Sequence, residues 1–543
     1  MVKKESPKLV PVTEPEYSLL TEPWLGAVME DGSIRRFGLV GLFENLDDVS
    51  SLVTDTEMEE PALFRLLLAI VYRALDPVLE DDYMEWWDDG RIPTDKVVDY
   101  LTEHEDRFWL FHPEHPFLQT IIEPKKDLPT DLDVLISEPN GSEPMSNRSS
   151  LSSRRMSYDE IARRIVAMMQ YDHPLAHTPF KGLIGGPSSG VYYAGDAYLA
   201  QMSLIRLKTG HLMKDLLLSL IPLDAEDMFS FDDEDLTVGK PPWELPMMSM
   251  SKGANRRNPE HPKDLEECLV WMGRRAYLTQ WDDGVTRILF SVGRCVTLAG
   301  LNGLEPMAAF KKVIDKTTKQ ETLIPFVIWS NTAFWRSLPS MIGITAGEKS
   351  GMAPMTLRWA SYLAENGLLP DDYIGNVSVS TLVPDKDHKT KVADFMSDQV
   401  SLPLSVIGNP EKVRLIEKAV AVGEKMIRTA YWVLINNINL AEKRTEKEAK
   451  KSANEKESMA YDILGVTFYG WISEMLDLGD SAYEVWIDRA IESLMPLADE
   501  EIASASLDSM MGRVYKDKHY STALSDSIFR STLNKIRREE LGK

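Results

Sequence analysis

Beyond Pro410 the chain carries long segments with apolar residues three and four positions apart: EKVRLIEKAVAVGEKMIRTAYWVLINNI, AYDILGVTFYGWISEML, SAYEVWIDRAIESLM and ALSDSIFRSTLNKIRRE. That spacing gathers the apolar side chains onto one helical face, which must be covered by another such face. Short connections between the segments predict an antiparallel four-helix bundle over residues 406–543. The charge run AEKRTEKEAKKSANEKE between the first two segments reads as a solvated helix end or loop.

Ahead of the bundle the texture is mixed, so the expected fold class is α+β, with a mixed domain over residues 17–405 and a disordered tail over 1–16 rich in Lys, Pro and Glu. PALFRLLLAIVYRA (Pro61 to Ala74) has the pattern of a buried helix, and helix is also expected over 159–169 and 204–220. Glu267 to Val296 alternates as strands do, and WDDG within it is a hairpin signal. Ile374 to Val383 reads as a strand, with PDKDHKTK as the polar hairpin tip after it. Pro139 to Ser157 is dense in Ser, Asn and Pro and predicts a long loop.

The totals exclude several classes. No stretch approaches the roughly 20 apolar residues of a membrane helix, and the opening MVKKESPKLVPVTEPEYS has no apolar core of a secretory signal. Only Cys268 and Cys295 are present, so neither a disulfide scaffold nor a cysteine-rich zinc module is expected, and a reducing cytoplasm fits. A net charge of −25 repels nucleic acid at long range, so any contact with it must use local basic elements or charge lent by partners.

Candidate chemistry is sparse. FHPEHPFLQT brings together His112, Glu114 and His115, the centre of one alternative reading as a metal-dependent hydrolase. Pro113 and Pro116 break the helix that a His-Glu-x-x-His site needs, so a proline-fixed corner is expected instead. GPSSG (Gly186 to Gly190) matches a nucleophile elbow in letters but lacks the strand before and helix after it. No phosphate-binding glycine loop is present. Arg274 and Arg275 alternate on a strand, and these and the other basic spots read as solvated surface.

The order of segments resembles the large subunit of type I-E Cascade, the CasA family. LLTEPWL with the turn Asp31–Gly32 and FGLVGLF is similar to the family's opening. FHPEHPFLQT is similar to its recurring HPxxPFxQ segment, and LVWMGRRAYL, NGLEP (Asn302 to Pro306) and VTFYGWISEML follow in the family's order. The resemblance implies a non-enzymatic subunit of an RNA-guided complex. Such a subunit reads the protospacer-adjacent motif in double-stranded DNA, helps start the R-loop and recruits a helicase-nuclease. Its implied partners are other Cascade subunits, the CRISPR guide RNA, target DNA and that helicase-nuclease; no membrane, cofactor or zinc is implied for this chain. It further implies a glycine loop near the minor groove, matching Lys181, Gly182, Gly185 and Gly186 here, and a basic hairpin residue at Arg294, with Val296 the alternative register. A hairpin wedge falls on His388, Lys389 and Thr390, and a loop contacting guide and target falls on Asn147 and Arg148. A scaffold that never touches DNA is the remaining alternative.

Overall fold

The helix Glu59–Ala74 organises the first of two compact units. Its residues Phe64 and Leu66 through Tyr72 are fully covered, so between its charged ends its middle is apolar on every face apart from Arg65. An all-round apolar helix must lie inside a core rather than on its surface. The computed structural model describes residues 7–121, 132–135, 156–172, 176–177, 192–193, 197–225, 228–229, 237–247, 259–314, 319–328, 333–343, 352–370, 373–384, 392–407 and 409–542. The first unit comprises residues 1–327, 351–360 and 377–399, and the second 328–350, 361–376 and 400–543. The chain is a mixture of helix and strand with a helical C-terminal region.

In the first unit, the strand Leu25–Met29 lies between Ile34–Phe37 and Val49–Val53, all antiparallel. The helix Tyr158–Tyr171 packs on Glu59–Ala74. Arg163 on it joins Asp55, Glu59 and Asp159 and donates to the Trp24 carbonyl at 2.6 Å. The expected hairpin is present as Arg274–Trp281 against Arg287–Val292, turning at Gly284 with φ +71°. Within the expected tail, Leu9 and Val10 pair with Trp281 and Gln280 of that hairpin.

Three local expectations change. Residues 204–220 are not one helix: Ser203–Lys208 is a buried strand and Leu212–Ser219 a helix, separated at Gly210 with φ +82°. The strand is buried on both faces, with Arg206 covered beside Glu60, so it shows no alternation to separate its Leu and Ile residues from those of the helix that follows. The stretch from Glu267 begins as the end of a short helix, Leu265–Leu269, and becomes strand only at Arg274. Arg274 and Arg275 are buried rather than solvated, and the Arg274 guanidinium is paired with Asp172.

In the second unit, among the described residues, Pro410–Met426 continues through a π-turn at Ile427–Tyr431 into Trp432–Ala441, and Glu446–Ser473, Ala482–Ala503 and Thr522–Leu541 follow. Trp432–Ala441 packs on Glu446–Ser473, that helix on Ala482–Ala503, and Thr522–Leu541 on both Ala482–Ala503 and Trp432–Ala441. Local chemistry starts these helices. The Asn409 side chain accepts from Glu411 and Lys412 amides ahead of Pro410, and Thr445 and Glu448 form a reciprocal capping box. The charge run is therefore the connection after Ala441 and the largely solvated first turns of the helix Glu446–Ser473. A further helix, Phe334–Ile342, packs against Pro410–Met426 and Glu446–Ser473 and inserts Trp335 among Phe468 and Trp486.

Candidate functional site

The corner at FHPEHPFLQT is built by its own backbone. Phe111 ends the strand Trp109–Phe111, and the chain then doubles back so that the Phe117 amide donates to the Trp109 carbonyl at 2.9 Å. His112 Nδ1 accepts two backbone N–H groups, from Glu114 at 3.1 Å and His115 at 2.7 Å. The imidazole thus caps the turn, and its ring stacks on His115 at 5.6 Å. Gln119 fastens the corner to the hairpin: its Nε2 donates to the Leu110 carbonyl at 2.7 Å, and its Oε1 accepts from the Leu278 amide at 2.9 Å. The Thr120 amide adds a bond to the Ala276 carbonyl. Among the described residues no group of three or more His, Cys, Asp or Glu side chains is placed to hold a metal ion.

Desolvation, and secondarily the neighbouring His115, hold His112 below the ordinary imidazole value of 6.5. A depressed value means that the fold prefers neutral His112, which is the form able to accept. Its contribution is full above pH 6.5 and is lost as pH falls through the lowered folded value. His112→Ala should therefore cost about 1 kcal/mol near neutral pH. The gap to the parent chain should close on acidification, read as urea midpoints across pH. A gap that widens below pH 6.5 would contradict the cap.

Beside this corner, the hairpin's second strand runs into Gly293 and Arg294. A Cβ at Gly293 would lie 2.4 Å from the Arg274 nitrogen, so only glycine permits the close crossing there. The Arg294 amide donates to the Met272 carbonyl at 3.0 Å, and the Trp271 indole N–H donates to the Arg294 carbonyl at 3.0 Å. The guanidinium carbon lies over the indole, 3.9 Å from the ring centre. Three of its N–H contacts go to carboxylates: Nε and Nη2 to Glu260 at 3.1 and 2.9 Å, and Nη1 to Glu267 at 2.6 Å. Both acids are placed by local structure. Glu260 makes an isolated parallel bridge to Val296, beyond the end of the hairpin strand, and Glu267 follows Asp264, whose carboxylate caps Leu265–Leu269. Burial raises that Asp264 carboxyl to about 6. Burial pulls the Arg294 guanidinium down, but the Glu267 and Glu260 bonds outweigh it and hold it above its ordinary value.

Arg294 and the corner line one cavity of about 380 Å³, together with Trp243, Leu245, Met247 and Lys240. Arg294, expected as a basic hairpin residue at the minor groove, lines this cavity; sequence reasoning did not single out its partners Trp271, Glu260 and Glu267. They lie 23, 34 and 27 residues away, and no local pattern connects them. Lys181, Gly182, Gly185, Gly186, His388, Lys389, Thr390, Asn147 and Arg148 lie outside the described residues. The strands Ile374–Pro384 and Val392–Pro403 flank the proposed wedge position.

The family described as CRISPR-associated protein Cse1 matches residues 18–495. A CRISPR-associated protein CasA/Cse1 from Thermus thermophilus is 27% identical over 422 residues, covering 76% of each chain. The fold is that of Cse1 from Thermobifida fusca, with a TM-score of 0.81 at 24% identity over 96% of this chain and 98% of the other. It is also that of CasA (Cse1) from Thermus thermophilus, at 0.75 and 21% over 96% and 100%. A chain in a CRISPR RNA-guided surveillance complex matches at 0.65 and 14% over 96% and 99%. With the family's pattern running through 18–495 of its 543 residues, the chain belongs to the Cse1 (CasA) family of CRISPR-associated proteins.

Proposed function

We infer that this chain is the large subunit of a type I-E RNA-guided surveillance complex. In this reading it is a non-enzymatic component that recognises the protospacer-adjacent motif in duplex DNA, promotes R-loop initiation and recruits a helicase-nuclease. The observation that carries the reading is the family match over residues 18–495. Its partners are the other Cascade subunits, the guide RNA and the target duplex, and its helical C-terminal region acts as a four-helix bundle. Two buried thiols, Cys268 and Cys295, fit a reducing cytoplasm. The acidity, −25 overall, is tolerable because DNA affinity is supplied by the assembled complex rather than by this chain alone.

Lys181, Gly182, Gly185 and Gly186 are the proposed minor-groove loop, His388, Lys389 and Thr390 the wedge, and Asn147 and Arg148 the guide-proximal contacts. Minor-groove edges separate mainly A·T from G·C, so the flanking motif should be read with tolerance. Arg294 can join a groove only by releasing Glu260 and Glu267, which makes it the weakest of these candidates.

The test is a duplex titration with reconstituted complex, with and without this subunit, at fixed salt. Targets differ only in the base pairs flanking the protospacer. Each unfavourable flanking pair should cost about 1–3 kcal/mol. Gly182→Ala, Gly185→Ala and Lys389→Ala should erase the difference. Equal binding to every flank would replace this reading with a scaffold that makes no DNA contact.

A further inference from the structure

The cavity beside the HPEHPF corner has a composition that the duplex-reading role does not use. It sits in a chain of net charge −25, yet Arg107, Lys240 and Arg294 face it against Glu260 and Glu267, a local balance of one positive charge with histidine neutral. Its volume of about 380 Å³ is at the lower end of small-ligand sites, which run roughly 300–1,000 Å³. That is room for one ring system and its sugar.

Arg294 decides what kind of ligand fits. The Trp271 indole covers one face of its guanidinium, and carboxylates take the Nε side and one Nη1 hydrogen. The side chain is still 27% exposed and lines the cavity. A guanidinium held this way has little of its hydrogen-bonding fork to offer but a flat, cationic outer face, which recognises a planar π system by stacking. Lys240 is exposed and has no ion or hydrogen-bond partner among the described residues, so it is free to meet an anion next to the ring. Leu245, 38% exposed, and Met247 supply apolar contact.

We propose that this cavity captures one unstacked nucleotide of a single strand, its base stacked on the Arg294–Trp271 plate and its phosphate near Lys240. The proposal rests on the reading that the chain works against nucleic acid, and it adds a single-strand site to the proposed duplex contacts. Aromatic and guanidinium stacking of splayed bases is how single strands are generally held. The chemistry is shared by guide RNA and displaced DNA, which differ at the 2′-hydroxyl.

The full chain is titrated, at low fixed salt, into short single-stranded oligonucleotides carrying 2-aminopurine, one ribose and one deoxyribose series. Saturable quenching of the probe is expected, since stacking quenches it. Lys240→Glu, an exposed site without a folding role, should weaken binding about fivefold or more and lower the salt dependence by about one phosphate contact. Arg294→Lys keeps the charge but removes the plane and should lose the quenching by a similar factor. A ribose preference assigns the site to guide RNA, and equal binding assigns it to either strand chemistry. No saturable quenching with either series, or quenching untouched by both substitutions, overturns the proposal. Flank-dependent duplex binding by the assembled complex can persist in that event, so the two readings fail separately.

Discussion

Glu305→Leu should destabilise the first unit by about 3–5 kcal/mol, the cost of stranding a buried charge. Glu305 is the acidic residue of NGLEP, and it is fully buried against Arg65, in the middle of the apolar helix Glu59–Ala74. The pair is bidentate, both bonds at 3.0 Å, and Arg65 also donates to the Cys268 carbonyl at 2.6 Å. Glu305 accepts further from the Tyr198 hydroxyl at 2.7 Å and the Met307 amide at 2.8 Å. Burial pulls the Arg65 guanidinium down, but the Glu305 carboxylate and its bonds prevail and hold it above its ordinary value. Removing Glu305 takes that support away and leaves only the burial, but a guanidinium does not give up its proton in a protein, so the arginine is stranded as a buried charge. Burial also pushes the Cys268 thiol and Tyr198 phenol well up, so neither can replace the lost anion near neutral pH. Arg65→Met combined with Glu305→Leu should recover most of the loss, because two apolar side chains leave no unpaired charge. Urea unfolding of the single and double variants measures both. A single variant costing under about 1 kcal/mol would show that the arginine finds another partner, against this account.

The second large effect lies in the second unit. Trp335→Ala should cost about 3–5 kcal/mol. The indole is fully buried, donates to the Tyr461 carbonyl at 3.0 Å and packs 5.2 Å from Phe468 and 6.3 Å from Trp486. It fits because the helix Glu446–Ser473 has glycine at 465: a Cβ there would stand 2.8 Å from the Trp335 ring. Alone, Gly465→Ala gains about 1 kcal/mol of helix propensity but forces the ring from a closed cluster, an overpacking cost of about 1–3 kcal/mol, so it should destabilise. In the Trp335→Ala background the ring is gone and only the propensity remains, so the same change should stabilise. Thermal unfolding of the four chains tests that reversal of sign; destabilisation in both backgrounds would mean that the glycine serves something other than Trp335.

These two results divide what could be read in advance from what could not. The long C-terminal helices were legible because their signals are local: apolar residues at helical spacing, Asn409 before Pro410, Thr445 three residues before Glu448. The WDDG hairpin was legible for the same reason. Residues 204–220 were misread as one helix because a buried strand carries no alternation. Arg274 and Arg275 were misread as surface because burial of a charge depends on a distant partner; Asp172 lies 102 residues from Arg274.

The candidate site follows the same rule. The residues of the HPEHPF corner announced a turn, since both prolines forbid a helix, and the His112 ring completes that turn within three residues. Arg294 could be singled out by the family's order, but its chemistry could not. Whether it is a free probe of a groove or a plate on Trp271 depends on Glu260 and Glu267 reaching it. By itself, then, the sequence determined the helical C-terminal segments, the hairpin and the family, because each is written in neighbouring residues or in their order. The tertiary structure alone decided that Arg65 meets Glu305 across 240 residues and that Trp335 fills the space left by Gly465. It likewise set Arg294 over Trp271 between Glu260 and Glu267. Pairing and burial are properties of space, and no spacing along the chain encodes which side chains will share it.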